Sequence, residues 1–253
     1  MKDLTAAVIR NVRVADNIYE MTLSLPEDIG TVRGGQFLAI STGEADQLLR
    51  RPFGVLKSTG TEVSIGYQAK GAGTQALCRV QPGRELKVLL PLGNCFSLDG
   101  YGKVAVIGGG VGIFPLIATI SQNCADKDFF SYIGFRNAGA VCYMQELSRS
   151  GKLVISTDDG SYGLHCNAVQ AFMADYPGLD IDCIIACGPL PMLKALKSSL
   201  TAAGCTVPCY VSMEERMGCG IGACLACVCK GSDGQNRRVC KDGPVFDMAD
   251  LEL

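Results

Sequence analysis

The chain has 253 residues, of which 48% are hydrophobic and 19% charged, and a formal net charge of −2. That length accommodates two compact domains and a small third one, and the composition excludes wholesale disorder. A near-neutral charge with no basic run argues against a nucleic-acid partner gripped through its phosphates, and no apolar run approaches the roughly 20 residues of a membrane helix.

The first residues, Met-Lys-Asp-Leu-Thr-Ala-Ala-Val-Ile-Arg, lack the apolar core of a signal peptide. The expected location is therefore the cytoplasm, and the fourteen cysteines are expected as thiols rather than disulfides. Cys78, Cys124 and Cys183 then read as small core residues. A single histidine, His165, sits in a Gly/Ser/Tyr-rich stretch and is expected at the surface, which leaves histidine acid–base chemistry resting on one residue.

From residue 4 to about 97, short strands alternate with turns. Residues 8–14 and 19–25 alternate with period two, and Gly34-Gly35, Gly43, Gly60 and Pro82-Gly83 punctuate them, the signature of an antiparallel barrel or sandwich. Within this part, Arg50-Arg51-Pro52-Phe53-Gly54-Val55 follows a strand at 36–40. An arginine there can clamp a pyrophosphate, or the run can be an edge strand with solvated arginines. Gly66-Tyr67-Gln68 leads to Gly71-Ala72-Gly73-Thr74 and a helix beginning at Gln75, either a phosphate-binding helix start or a plain turn.

Near Tyr101 the pattern changes. The apolar run 103–107 feeds Gly108-Gly109-Gly110-Val111-Gly112 and a helix over 113–121. Strands are expected at 128–135, 153–157 and 181–187, with helices at 168–176 and 191–203, which implies a parallel sheet with crossovers. The glycine run departs from G-x-G-x-x-G, yet its place between strand and helix suits a pyrophosphate. Cys187-Gly188-Pro189 joins another strand end to a helix start, where open parallel sheets place ligands, or forms an ordinary turn around a buried cysteine. The acidic pair in Asp158-Asp159-Gly160 occupies the same kind of position and reads equally as solvated or functional.

Cys219, Cys224 and Cys227 stand at C-x4-C-x2-C, with Cys240 following in Arg-Val-Cys-Lys-Asp-Gly-Pro. This spacing is similar to the plant-type two-iron run. Gly218, Gly220 and Gly222 let the backbone pass close to an inorganic core and turn its amides to the sulfurs. Zinc is the competitor, but zinc knuckles usually pair their cysteines at short, similar spacings. Cys229 reads as a small buried residue rather than a ligand, and residues 231–237 as a hairpin turn.

The order of arginine motif, glycine loop, Cys-Gly-Pro turn and cysteine run resembles the ferredoxin reductase superfamily. Over essentially the whole length, and most closely in Met217-Gly-Cys-Gly-Ile-Gly-Ala-Cys-Leu-Ala-Cys and Val239-Cys-Lys-Asp-Gly-Pro-Val-Phe, it is similar to the electron-transfer subunits of type B, NAD-dependent dihydroorotate dehydrogenases. The resemblance implies an FAD-binding β-barrel at 1–99, a Rossmann-like NAD-binding domain at 100–208 and a small 2Fe-2S lobe at 209–253. It implies FAD at Arg51, Pro52, Phe53, Gly54, Gly66, Tyr67, Gln68, Gly73 and Thr74. NAD would lie at Gly108, Gly109, Gly110, Val111, Gly112, Cys187, Gly188 and Pro189, and the cluster on Cys219, Cys224, Cys227 and Cys240.

Gly54 replaces the usual serine and Gln68 a common basic residue. The implied partner is an FMN-containing dihydroorotate-oxidising catalytic subunit, two of each chain, in pyrimidine biosynthesis. The alternatives are an NAD(P)H-dependent reductase serving ferredoxin, sulfide or an oxygenase, and a non-catalytic redox or zinc module.

Overall fold

The computed structural model describes residues 1–44 and 46–253. Strands β1 (Lys2–Ala15), β2 (Ile18–Ser24), β3 (Phe37–Ile40), β4 (Arg51–Ser58), β5 (Glu62–Gln68) and β6 (Glu85–Leu92), with helix α1 (Ala72–Cys78) before the last, make the first part. They close into an antiparallel barrel in the order β1-β2-β5-β4-β3-β6. Alternation along the strands turns Val8, Leu23, Ile65 and Val88 inward, all at 1% exposure or less. Closure leaves the barrel no open edge, and the Arg51 strand lies between β3 and β5 rather than at a rim. Helix α1 starts at Ala72, ahead of the expected Gln75, because Thr74 closes the first turn through its hydroxyl, bonded to Gly71.

The second part alternates β7 (Lys103–Gly109), α2 (Ile113–Asn123), β8 (Asp128–Phe135), α3 (Met144–Leu147), β9 (Gly151–Thr157), β10 (Leu164–His165), α4 (Ala168–Asp175), β11 (Cys183–Cys187) and α5 (Leu190–Ala202). After these come β12 (Cys209–Ser212), β13 (Val228–Lys230), β14 (Asn236–Arg238), α6 (Val239–Asp242) and β15 (Val245–Asp247). The sheet order is β10-β9-β8-β7-β11-β12-β15, parallel except for β15 against β12. Val104 through Ile107 are fully buried, as a strand covered by helices on both faces must be. The sheet therefore runs past residue 208: β12 and β15 lie inside 209–253 yet belong to it. Strands of three and four residues amid loop sequence carry no readable alternation. His165 is exposed, in a two-residue strand paired with β9.

Helix α2 docks the parallel sheet onto the barrel. A Cβ built at Gly66 would lie 2.2 Å from the Phe114 ring, one at Gly54 3.3 Å from Pro115, and one at Gly34 2.5 Å from the Thr119 amide nitrogen. Hydrogen bonds flank this contact: Gln122 donates to Val32 O at 2.9 Å, and Gly34 N donates to Gln122 at 2.9 Å. Farther along, Tyr143 donates to the buried Glu20 at 2.6 Å. The C-terminal segment is tied in the same manner, with Asn94 bonded to both N and O of Val245 at 2.8 Å each. One apolar cluster then runs from Phe172 and Ile184 through Val211 to Cys227, Val239 and Cys240.

Substituting Gly34→Ala should destabilise the chain by about 1–3 kcal/mol, because the new methyl meets helix backbone that cannot move aside alone. Gly178→Ala, where a Cβ meets nothing within 4 Å, should stay within about 0.5 kcal/mol. Urea midpoints at constant m compare the two; equal midpoints would show that α2 is not held by this contact.

Candidate functional site

A cleft of about 1700 Å³ opens between the barrel and the carboxyl ends of the parallel strands. Its barrel wall includes Arg51, Pro52, Phe53 and Gly54 of β4, Gly66, Tyr67 and Gln68 of β5, and Gly73 and Thr74 at the start of α1. Arg51 folds back over the α1 start: its Nε lies 2.6 Å from where a Gly73 Cβ would be, and its guanidinium donates to Leu49 O and Gln47 Oε1. A cation, backbone amides and a side-chain-free approach are thus together on one wall.

Tyr67 and Thr74 occupy this wall differently from a ligand-binding side chain. The Tyr67 ring is 2% exposed, stacks on Tyr19 at 5.7 Å and donates to Asn11 at 2.8 Å. Desolvation is the main cause pushing its phenol above the ordinary range. The Thr74 hydroxyl accepts from the amides of Lys70 and Gly71 and donates to Gly71 O. Both polar groups are thus engaged within the chain.

The opposite wall is the junction of β7 and β11, from which the chain proceeds to β8 on one side and β12 on the other. That topological switch point is where ligands of open parallel sheets lie. Gly109, Gly110, Val111 and Gly112 line it together with Cys187, Gly188 and Pro189. A Cβ at Gly112 would stand 2.5 Å from Cys187 O, so the two turns pack directly on each other. Gly110 takes a φ of +54° with open space at its Cβ.

Gly108 is the exception among the expected NAD residues. It does not line the cleft, and its Cβ position faces Ile133, Leu116 and Ile113 beneath α2. The Cys187 thiol is 2% exposed, and burial pushes it above the ordinary thiol range. Asp158 reaches the cleft, whereas Asp159 is turned to Ser161, whose hydroxyl and amide hold its carboxyl below the usual range.

The floor comes from the segment joining β12 to the cysteine loop. Met213, Glu214, Glu215 and Met217 line the cleft, as does Pro244. The sequence reads Met217 and Pro244 only as parts of the cysteine motifs and assigns none of the five to the cleft. The carboxyl end of β12 is the signal that finds them.

Beyond Met217 the backbone wraps the cysteines. Amides of Ile221, Ala223 and Cys224 donate to the Cys219 sulfur at 3.3–3.4 Å. Gly222 N donates to Cys240 Sγ at 3.1 Å and Cys240 N to Cys227 Sγ at 3.4 Å. Gly220 and Gly222 make the turn with φ of +73° and +84°. Cys219 N also donates to Cys224 Sγ at 3.4 Å, so backbone amides link Cys219 with Cys224 as they link Cys240 with Cys227. A two-iron cluster takes four thiolates; among the described residues no three His, Cys, Asp or Glu side chains form a single metal group. Arg238 braces the loop, bonded to both oxygens of Asp242 and to Gly222 O. Cys229 is half-buried on β13 opposite Arg237.

Comparisons with known proteins show the family of the chain. Residues 214–252 match the family model of the iron-sulfur cluster binding domain of dihydroorotate dehydrogenase B. The dihydroorotate dehydrogenase B (NAD(+)) electron transfer subunit of Geobacillus thermodenitrificans is 39% identical, with 97% of each chain covered. The chain belongs to this family of electron transfer subunits. Its counterpart in Streptococcus mutans is 36% identical over 97% of this chain and 96% of that one.

Among solved structures, the NADH-dependent reduced ferredoxin-NADP oxidoreductase superposes with a TM-score of 0.84 at 26% identity, covering 98% of this chain and 89% of that one. The cytochrome b5 reductase domain of Ulva prolifera nitrate reductase shares the fold, with a TM-score of 0.67 at 15% identity over 80% and 94% of the two chains. An electron transfer subunit of this family implies a catalytic partner. Among the described residues no helix is long and apolar enough to cross a membrane.

The amides around Cys219, that of Ile221 foremost, lower its thiol to about 6, while burial pushes Cys240 up to about 12. In metal-free protein, alkylation of Cys219 followed by mass spectrometry should therefore rise as pH passes through about 6 and the thiolate forms. A rise centred in the ordinary thiol range would show that the amides do not stabilise it.

Proposed function

We propose that the chain passes electrons between a 2Fe-2S cluster on Cys219, Cys224, Cys227 and Cys240 and FAD in the cleft, with NAD as the terminal acceptor. The work is that of the electron transfer subunit of dihydroorotate dehydrogenase B in pyrimidine biosynthesis. The observation that carries this reading is continuity: the segment that floors the cleft at Met217 reaches the first cluster cysteine two residues later. When bound, FAD supplies the exchange between hydride transfer and single-electron transfer, and the cluster supplies the single-electron step.

The chain's own residues then hold and orient. Arg51 and the amides at Gly73 and Thr74 would take the FAD pyrophosphate, with Pro52, Phe53, Gly54, Gly66, Tyr67 and Gln68 forming the wall along the flavin. Gly54 offers backbone only, with Pro115 3.3 Å from the vacant Cβ position. Gly109, Gly110, Val111 and Gly112 with Cys187, Gly188 and Pro189 would take NAD at the switch point, and Gly108 would support them from beneath. The barrel would serve as the FAD unit (1–99), the parallel sheet from residue 100 as the NAD unit, and the cysteine loop with its hairpin as the cluster unit.

The partner in this reading is a catalytic subunit carrying FMN, two copies of each chain assembling in the cytoplasm. Support for docking at the cluster comes from exposed Cys224 flanked by Ile221 and Leu225, the latter 62% exposed. Apolar side chains beside an electron-carrying sulfur suit a face that another protein covers.

Co-expression with a dihydroorotate-oxidising subunit tests the function directly. Orotate should form with NAD+ only when both chains are present; formation by the partner alone at the same rate would refute it. Arg51→Ala should weaken FAD retention by roughly 10- to 100-fold, the loss of a charge-assisted contact of about 1.5–3 kcal/mol, measured by flavin release on dilution. Cys224→Ser should leave NADH oxidation by an artificial two-electron acceptor within a few-fold of native while abolishing transfer to the partner. Loss of both activities would instead assign the cluster a folding role.

A further inference from the structure

Past the glycine turn the cleft runs on over the carboxyl ends of β8 and β9. Arg136 directly follows β8 and Asp158 directly follows β9. Parallel pairing sets Phe135 beside Thr157, so the next residue of each strand, Arg136 and Asp158, stand side by side, and Asp158 N donates to Phe135 O at 3.0 Å. Both line the cleft and both are exposed. Among the described residues neither side chain has a hydrogen-bond or ion-pair partner.

The turns that carry them are tied together. The Ser161 hydroxyl accepts from Ala138 N at 2.7 Å and donates to Asp159 at 2.6 Å, which draws Asp159 aside and leaves Asp158 at the cleft. Thr157 closes the second turn, its hydroxyl donating to Tyr162 O at 2.8 Å and accepting from Tyr162 N at 3.0 Å. A guanidinium and a carboxylate are thereby held next to each other on one ledge.

Which half of a dinucleotide reaches this ledge follows from the plan of the cleft. The nicotinamide has to meet the flavin, so it lies toward the barrel wall, and the pyrophosphate rests at the glycine turn where β7 ends. The adenosine must then leave over strand ends away from the barrel. On one flank β12 runs straight into residues 213–217, which floor the cleft toward the cluster cysteines. On the other flank the ends of β8 and β9 are open to the cleft, and β9 stands two strand spacings from β7, roughly 10 Å away.

We propose that Arg136 and Asp158 form the subsite that separates NAD from NADP, Asp158 accepting from the adenosine ribose hydroxyls while offsetting the charge of Arg136; this rests on the reading that the cleft carries FAD and NAD. A ribose diol brings two O–H donors, which suit a carboxylate that can only accept. A 2′-phosphate brings acceptors and nearly two negative charges, and the carboxylate repels it. An unopposed arginine would instead grip that phosphate at two points. The parts of an NADP subsite are thus already in place in this chain, held off by one carboxylate. Glu214 and Glu215 do not exert this control, because they stand past the end of β12 on the cluster side.

The test uses the assembled two-subunit complex, with its flavin reduced by NADH or by NADPH in stopped-flow. Native complex should prefer NADH. Asp158→Asn, which keeps the shape and removes the charge, and Asp158→Ser should each raise the NADPH-to-NADH ratio of second-order rate constants by about 10- to 100-fold, through apparent affinity more than limiting rate. Adding Arg136→Ala to Asp158→Ser should cancel most of that gain. An unaltered ratio in both Asp158 variants, or a gain that survives the loss of Arg136, overturns the proposal while the flavin reading stands. A native complex without flavin absorbance, or whose flavin neither nucleotide reduces, overturns that reading and the proposal together.

Discussion

The close approach of helix α2 to the barrel is the contact on which the site depends. Gly34, Gly54 and Gly66 supply no Cβ, and Thr119, Pro115 and Phe114 occupy the space that side chains there would take. At interior packing density such a contact has little freedom to slide. Because α2 begins directly after the glycine turn, fixing the helix also fixes Gly109 to Gly112 against Arg51 and Gly54. Two separate domains would by default move relative to each other; here the bond from Tyr143 to the buried Glu20 and the Gln122 pair close the seam from both ends. The cleft is consequently a property of the interface, not of either part alone.

The same logic extends to the cysteines. Met217 lines the cleft and Cys219 follows two residues later, a span of at most about 7 Å even fully extended. The segment is anchored at its start, where Met213 N donates to Pro244 O at 2.9 Å, and β12 and β15 pair on either side of it. Since Cys227 and Cys240 belong to the apolar cluster that also fills the nucleotide sheet, the cysteine loop cannot swing away without opening that core. A relay needs short, constant distances, and this chain obtains them by building the loop out of the sheet instead of tethering a separate module by a linker.

Much of the fold was legible in the sequence because two periodicities differ. Period-two alternation marked the barrel, and strand β8 falls at the expected residues 128–135 since its apolar run is bounded by charge on both sides. The strands β12 and β15 were not legible: three or four residues cannot establish a period, and the edge position of β15 is set by tertiary pairing. At the site, the cysteine spacing carried its meaning on its face, and the flanking glycines announced the amides that reach Cys219 and Cys240. The run of three glycines hid which of them lies under the helix, so Gly108 was grouped with its neighbours although it faces Ile133 and Leu116. Glu214 escaped notice because nothing local distinguishes a carboxylate that meets a cleft from one that meets bulk water.

Fourteen thiols in one chain are not equally ready to serve as ligands. A thiol ligates as the thiolate, so a site is selected wherever deprotonation is easy before or during metal binding. Burial raises Cys142 and Cys183 to about 12, and pushes Cys187 and Cys209 higher still, which keeps these core sulfurs neutral and apolar in character. Among the described residues Cys219 is the thiol that several converging amides pull down, to about 6. Cys240 stands at the other extreme, pushed up to about 12 by burial and by Cys227 against the opposing amide of Gly222. The fold thereby grades the thiols, from Cys219, held low by backbone amides, to Cys240, held high by burial.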